Sequence, residues 1–249
     1  MPDRRTLLVV LAHPDDELGA AGTIAAQRAR GDRVVLLWLT RGEMTQAFGP
    51  LGIEEVAARR EQQGAEAARI LDVEHRFLDF QDTRLVADPE AARRVARVLA
   101  EVRPDGVVTW GDAWVRGARH PDHQACGRIA RDAVTLARIA KVMDPLEPHR
   151  AFCPVFTLRD AHSHLPELAV DVSPHLDVVH GLARFYHDAI GFGDEAWLRQ
   201  RLRAAGGSWD VEAAELFDAW ESRPGLTDAL LPADPGQLNR HPDRDGRDD

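Results

Sequence analysis

Unbroken apolar runs alternate with amphipathic stretches along much of the chain. Leu7-Leu8-Val9-Val10-Leu11 carries no polar position, the pattern of a strand buried on both faces. Leu18 to Arg30 is Ala-rich and stops at Gly31-Asp32, which predicts a helix. Val34 to Leu39 predicts a second buried strand, Ile53 to Leu71 a helix, and His75 to Phe80 a third strand. Pro89 to Val102 reads as a helix with Pro89 in its first turn and Val95, Val98 and Leu99 on one face. Gly106 to Trp110 is a fourth strand, and His120 to Lys141 a helix with Ile129, Ala133, Leu136 and Ala140 at helical spacing. Strand and helix in this rhythm imply right-handed crossovers. The expected fold class is therefore α/β: a Rossmann-like, doubly wound, mostly parallel sheet with helices on both faces. In the order 3-2-1-4-5, strands one and four are neighbours, and a crevice opens between their carboxyl ends.

The pattern changes after the apolar stretch Phe152 to Leu158 and a strand around Val170. Pro174 to Ile190, Glu195 to Ala205 and Val211 to Trp220 read as three helices, separated by Gly191-Phe192-Gly193 and Gly206-Gly207-Ser208. Trp197, Trp209, Phe217 and Trp220 give them apolar faces. Each is too short to fold alone, so they predict a C-terminal helical annex on the sheet edge. The organisation expected is one domain over 1–232, with an α/β core over about 6–172 and the annex over about 173–222. Residues 233–249, rich in Pro, Gly and Asp, read as a disordered tail. His241-Pro242-Asp243 lies in that tail and is followed by Arg244.

Composition narrows the partners. A net charge of −10 over 249 residues argues against nucleic acid or an anionic membrane. No run of about twenty apolar residues and no leader is visible, so neither a membrane span nor a signal peptide is expected. Two cysteines, Cys126 and Cys153, are too few for a disulfide framework or a cysteine zinc site, which fits a reducing cytoplasm. Oligomerisation is open.

Two polar clusters carry the candidate chemistry. His13-Pro14-Asp15-Asp16-Glu17 follows the first strand and opens a helix, where α/β folds place ligands. An imidazole and carboxylates packed there need charge compensation, which a divalent metal supplies. The same residues also suit an N-cap, with Asp15 or Asp16 on helix amides. Arg119-His120-Pro121-Asp122-His123-Gln124 follows the fourth strand, and its two imidazoles, three apart at a helix start, can face one side. A capping loop with solvent-facing rings is the plainer alternative. Two such clusters at two neighbouring strand ends favour a shared pocket.

Ala12-His13-Pro14-Asp15-Asp16-Glu17 and His120-Pro121-Asp122-His123 together resemble the PIG-L/LmbE-like family of zinc-dependent N-acetyl-sugar deacetylases. That family includes the deacetylases of GlcNAc-phosphatidylinositol, mycothiol and bacillithiol synthesis. Gly22-Thr23-Ile24, Leu39-Thr40-Arg41-Gly42-Glu43, Arg60, the Asp82 turn and Val170-Asp171-Val172-Ser173 also look like family positions. The resemblance runs from about residue 6 to 190. Gln63 stands where a Glu is common after Arg60, and His180 to His187 matches the family's late helix only loosely.

The resemblance implies roles residue by residue. His13, Asp16 and His123 would hold Zn2+, with Fe2+ possible on the same donors, leaving a position for water. Asp15 would be the general base toward that water. His120 would be a protonated electrophilic partner for the oxyanion and the leaving amine, with Asp122 orienting it or the base. Arg60, Glu43 and Asp82 are the candidates for substrate contacts. For Arg60 a solvated helix position, and for Thr40, Gly42 and Glu43 turn duty, are equal alternatives. His162 and His164 read as loop histidines, and Tyr186 and His187 as packing.

The implied activity is removal of an N-acetyl group from an N-acetylglucosamine-type small molecule. The alternative is the same machinery on another amide, such as a thiol-sugar conjugate or a natural-product intermediate. A metal-binding module without catalysis leaves Asp15 and His120 superfluous. A dinucleotide binder is excluded, because no Gly-x-Gly-x-x-Gly follows the first strand and the acidic cluster would repel a pyrophosphate.

Overall fold

The computed structural model describes residues 4–111, 120–160 and 162–232. The expected tail over 233–249 and Arg119 lie outside the described residues. Strand β1 (Thr6–Leu11) is the sheet's centre, flanked by β2 (Arg33–Thr40) on one side and β4 (Gly106–Trp110) on the other, both parallel to it. Strand β3 (Glu74–Phe80) closes one edge against β2, and β5 (Val155–Leu158) lies beside β4. The order 3-2-1-4-5 is thus observed, within a mixed sheet of eight strands.

Burial explains the apolar runs. Leu7 through Ala12 and Val35 through Leu39 have no exposed surface, because helices cover both sheet faces. Each fully buried Leu or Val contributes roughly 1.5–3 kcal/mol relative to exposure. Helix α1 spans Ala21–Ala29, preceded by a 3-10 turn at Asp16–Gly19; α2 spans Ile53–Leu71, α3 Pro89–Val102 and α4 Pro121–Leu136. Two ends show their chemistry. Asp88 accepts the Ala91 amide at the start of α3 at 2.8 Å, and Arg103 ends it in the left-handed region. Helix α4 stops at Leu136, earlier than its apolar spacing suggests, and a single turn, α5 (Ala140–Met143), follows.

The third annex helix expected over Val211 to Trp220 does not form. Ala214–Asp218 is strand β7, inserted between β5 and β6 (Glu167–Asp171) and antiparallel to both. A short β8 (Gly225–Thr227) follows at the far edge, parallel to β6. The other two helices stand as α6 (Leu176–Ile190) and α7 (Glu195–Gly207). Ala, Glu, Leu and Phe in this stretch favour a helix locally, but a tertiary contact overrides them. The fully buried carboxylate of Glu215 accepts the amides of Gly22 at 2.9 Å and Thr23 at 2.8 Å. No side chain of its own caps α1, so β7 supplies the acceptor its first turn lacks. Among the described residues no helix is long and apolar enough to cross a membrane.

Candidate active site

Strand topology brings the two polar clusters together. In the β1–β4 register Val9 faces Val108, so Leu11 and Trp110 end level, and the segments after them share one crevice. His13 lies 4.5 Å from His120 and 5.3 Å from His123 between ring centroids.

Asp16 is fixed on one side. Its Oδ2 accepts the amides of Ala12 and His13, both at 3.0 Å, and the Trp110 indole N–H at 3.2 Å. Its Oδ1 lies 3.0 Å from His123 Nε2. Burial opposes its charge, but the field and hydrogen bond of His123, the charge of His13 and its amide hold the carboxyl far below the usual carboxylate range.

His13 is ringed by carboxylates. Its Nε2 lies 3.3 Å from Asp122 Oδ2 and 3.1 Å from Asp82 Oδ1, and its Nδ1 lies 3.8 Å from Asp16 Oδ2. Burial disfavours a charged ring, yet the hydrogen bonds to Asp122 and Asp82 and the charge of Asp16 outweigh it and raise His13 to about 10.

Asp15 occupies a position of its own. Its backbone is left-handed, at φ 99°, an uncommon conformation for a side chain other than glycine. Glu17, fully buried, holds that turn through Oε2, which accepts the Asp15 amide at 3.0 Å and the Trp38 indole N–H at 3.1 Å. Its Oε1 accepts the Tyr186 hydroxyl at 2.5 Å. The Asp15 carboxylate accepts from Arg60 at 2.7 Å. Burial lifts it to about 6, helped by the charge of Asp16 and opposed by Arg60.

Arg60 is not a solvated helix residue. It is 2% exposed, and its guanidinium donates to the Pro14 carbonyl, to Asp15 and to Gln63 Oε1 at 2.8 Å. Gly42 makes room for it: at φ 67°, an added Cβ would sit 3.1 Å from Arg60 Nε. Glu43 and Asp82 are also buried. Glu43 Oε1 accepts the Asp82 amide at 2.9 Å, Asp82 Oδ2 accepts the Met44 amide at 3.0 Å, and Asp82 Oδ1 faces His13. Arg60 is thus held against the Asp15 turn, while Glu43 braces Asp82 beside His13. Thr40 performs turn duty, donating to the Ala12 carbonyl at 3.0 Å and accepting the Gly42 amide at 3.2 Å.

His120 and Asp122 depart from expectation in one respect. The Asp122 carboxylate is spent on His13, on the Thr83 amide at 2.8 Å and on the Leu85 amide at 3.3 Å, so it orients His13 and acts on His120 only through its charge. His120 is the N-cap of α4, its Nδ1 accepting the Asp122 amide at 3.3 Å. A ring nitrogen that accepts carries no proton, which assigns the neutral tautomer with N–H at Nε2. Burial, then the charge of His13, pushes His120 below its ordinary value in the metal-free protein. A protonated His120 is not what this arrangement favours.

The donors suit a cation. His13, His120 and His123 form one trio, and His13, Asp82 and Asp122 another, each with donor atoms within 4.8 Å of one another. Asp82 Oδ1 is buried without a hydrogen-bond partner of good geometry. His162 and His164 are exposed loop residues. Three participants carry no site role in the sequence reading: Glu17, inside the first cluster, Trp110, which reads only as a strand end, and Tyr186, which reads as packing. The signal for Trp110 is its level with Leu11 at the crevice; for Tyr186, which joins Glu17 from α6, no local signal exists.

Residues 8–134 match the family model described as PIG-L, GlcNAc-PI de-N-acetylase. The chain is 31% identical over 202 residues to the diacetylchitobiose deacetylase of Thermococcus kodakarensis, covering 78% of this chain and 73% of that protein. It is 36% identical over 166 residues to the 1D-myo-inositol 2-acetamido-2-deoxy-alpha-D-glucopyranoside deacetylase of Salinispora arenicola, covering 56% of this chain and 53% of that one, about half its length. Among solved structures, the N,N'-diacetylchitobiose deacetylase from Pyrococcus horikoshii complexed with its inhibitor MPG superimposes with a TM-score of 0.76 at 27% identity, covering 86% of this chain and 83% of that one.

Proposed function

The chain belongs to the PIG-L, GlcNAc-PI de-N-acetylase family, and from that premise we propose that it removes the N-acetyl group from an N-acetylglucosamine-type small molecule by hydrolysis. The observation that carries the reading is the convergence of His13, Asp16, His120 and His123 beside an Asp15 held by Arg60. Four carboxylates and three imidazoles in one crevice, with Asp82 Oδ1 turned toward His13 Nε2 at 3.1 Å, fit a divalent cation better than any lone ligand duty.

His13, Asp16 and His123 are the residues assigned to hold that metal. Zinc suits two imidazoles and a carboxylate, with Fe2+ the alternative; when bound it supplies Lewis acidity toward the acetamide carbonyl and acidifies the attacking water. Asp122 holds the His13 ring through Nε2, leaving Nδ1 on the Asp16 side.

Asp15 takes the proton from the attacking water. A carboxyl near 6 accepts a proton readily and gives it up again, so the same group delivers it to the nitrogen as the carbon–nitrogen bond breaks. Acetate and a free amine leave. Arg60 keeps Asp15 ionised in the resting enzyme and fixes its aim; it positions the base and does not reach for substrate. His120 donates its Nε2 hydrogen to the developing oxyanion as a neutral imidazole, which suffices for such a donor. Glu43 braces Asp82 beside His13.

The test is a panel of N-acetylglucosaminides with varied aglycones, incubated with zinc-loaded enzyme and scored for free amine. Release from at least one member supports the reading and reports the aglycone. No release from any would contradict the substrate class, and release from other amides alone would transfer the machinery to a different substrate.

A further inference from the structure

Trp110 ends β4 almost completely buried and touches two of the assigned metal-holding residues at once. Its indole stacks on the His123 ring with centroids 3.9 Å apart and planes inclined by 7°. Its Nε1–H donates to Asp16 Oδ2 at 3.2 Å. These residues come from two separate segments and meet at 3.0 Å, Asp16 from the turn after β1 and His123 from the first turn of α4. Trp110 contacts both.

The two contacts restrict different freedoms. Oδ2 of Asp16 already takes the Ala12 and His13 amides, and the indole N–H is its third donor. Three donors on one oxygen fix the carboxylate plane and leave Oδ1 as the atom turned toward His123. The parallel stack covers one face of the imidazole, so His123 cannot swing about χ2 without losing that contact. The strand behind Trp110 is rigid, with Val107 and Val108 fully buried and β1 and β5 on either side. A rigid element carrying one side chain thus sets the distance between donors from two separate segments.

We propose that Trp110 is a positioning residue that pre-sets Asp16 and His123 for the metal, and that its loss weakens metal binding before it alters anything else. This rests on the ligand assignment given above. Outer partners of metal ligands typically govern affinity by 10–100-fold, and here one residue is such a partner to two ligands.

The experiment measures Zn2+ affinity of the full chain by competition with a chromophoric chelator, in wild type, Trp110→Phe, Trp110→Leu and His123→Ala. Phe keeps a stacking ring and loses the N–H; Leu loses both. Weakening of about tenfold in Trp110→Phe and about 100-fold in Trp110→Leu is expected. Zinc at saturating concentration should return kcat of Trp110→Phe to the wild-type value, which a general packing defect would not allow. If Trp110→Leu fails to fold by circular dichroism, Trp110→Phe decides. Wild-type affinity in both Trp110 variants while His123→Ala loses zinc overturns the inference and leaves the ligand assignment standing. Wild-type affinity in His123→Ala overturns the assignment itself.

Discussion

The Arg60 guanidinium lies 2.7 Å from the Asp15 carboxylate, and Arg60 itself is 2% exposed. A base beside a buried, permanent cation is ionised more easily than burial alone would allow, and that sets its working range. Burial raises Asp15 to about 6, with Asp16 adding to the rise and Arg60 subtracting from it. Removing the cation moves the group further up.

Arg60→Met should therefore lower kcat/KM and shift the acid limb of its pH profile to higher pH, since more alkali is needed to ionise Asp15. Arg60→Lys keeps a charge and should shift the limb less. The measurement is kcat/KM from pH 5 to 9 at saturating zinc. An acid limb that stays in place in Arg60→Met would remove Arg60 from the base's environment.

Asp15→Asn should keep zinc while turnover falls by about 10²–10⁴-fold, the usual cost of losing a general base. Asn is the proper replacement because it tolerates the left-handed backbone at φ 99°, where Ala adds strain. Metal content and rate are read on the same preparation. Loss of zinc in this variant would make Asp15 a ligand.

Glu17 gives a stability prediction with a definite sign. Burial raises it to about 7 from an ordinary 4.5, while its bond from Tyr186 opposes the rise. A raised folded-state value means the native protein holds this proton more tightly than the unfolded chain. Its contribution is complete below about 4.5 and is lost as pH rises through 7. At 1.36 kcal/mol per unit the swing is roughly 3 kcal/mol at most. Glu17→Gln stays neutral, so its stability relative to wild type should improve from pH 5 to pH 8. Urea unfolding of the metal-free proteins at both pH values checks this; parallel pH dependences would contradict it.

Glu215→Ala should destabilise the protein through α1, which loses the acceptor for the Gly22 and Thr23 amides. Each buried amide left unpaired costs roughly 1–3 kcal/mol. Glu215→Gln retains one oxygen and should fall between. Equal urea midpoints for wild type and Glu215→Ala would mean that water replaces the carboxylate.

The sheet's first half was legible because strands buried on both faces write continuous apolar runs, as Leu7–Leu11 and Val34–Leu39 do. Topology then carried the site: once β1 and β4 are neighbours, His13 and His123 must be near each other. Glu215 marks where local reading ends. Its strand has a helix-former's composition, and the partners that hold it are distant in sequence: β5 and β6 along its edges, and the Thr23 amide 192 residues away. Trp110 and Tyr186 were invisible as participants for a similar reason, since their polar partners Asp16 and Glu17 meet them only in the folded chain. The hydrogen bond that His120 accepts at Nδ1 comes from the Asp122 backbone amide, a contact set by the turn's geometry and not by any side chain that the sequence shows.

The most direct measurement is a zinc titration of chelator-stripped enzyme, following free amine released from an N-acetylglucosaminide that the panel identifies as a substrate. Activity should be negligible without metal, rise with added zinc and level off at about one equivalent per chain, as a single open zinc site requires. His123→Ala should show no such rise. Amine release from the stripped wild type at the undiminished rate, or a full zinc response in His123→Ala, would contradict a metal-dependent deacetylase built on His13, Asp16 and His123.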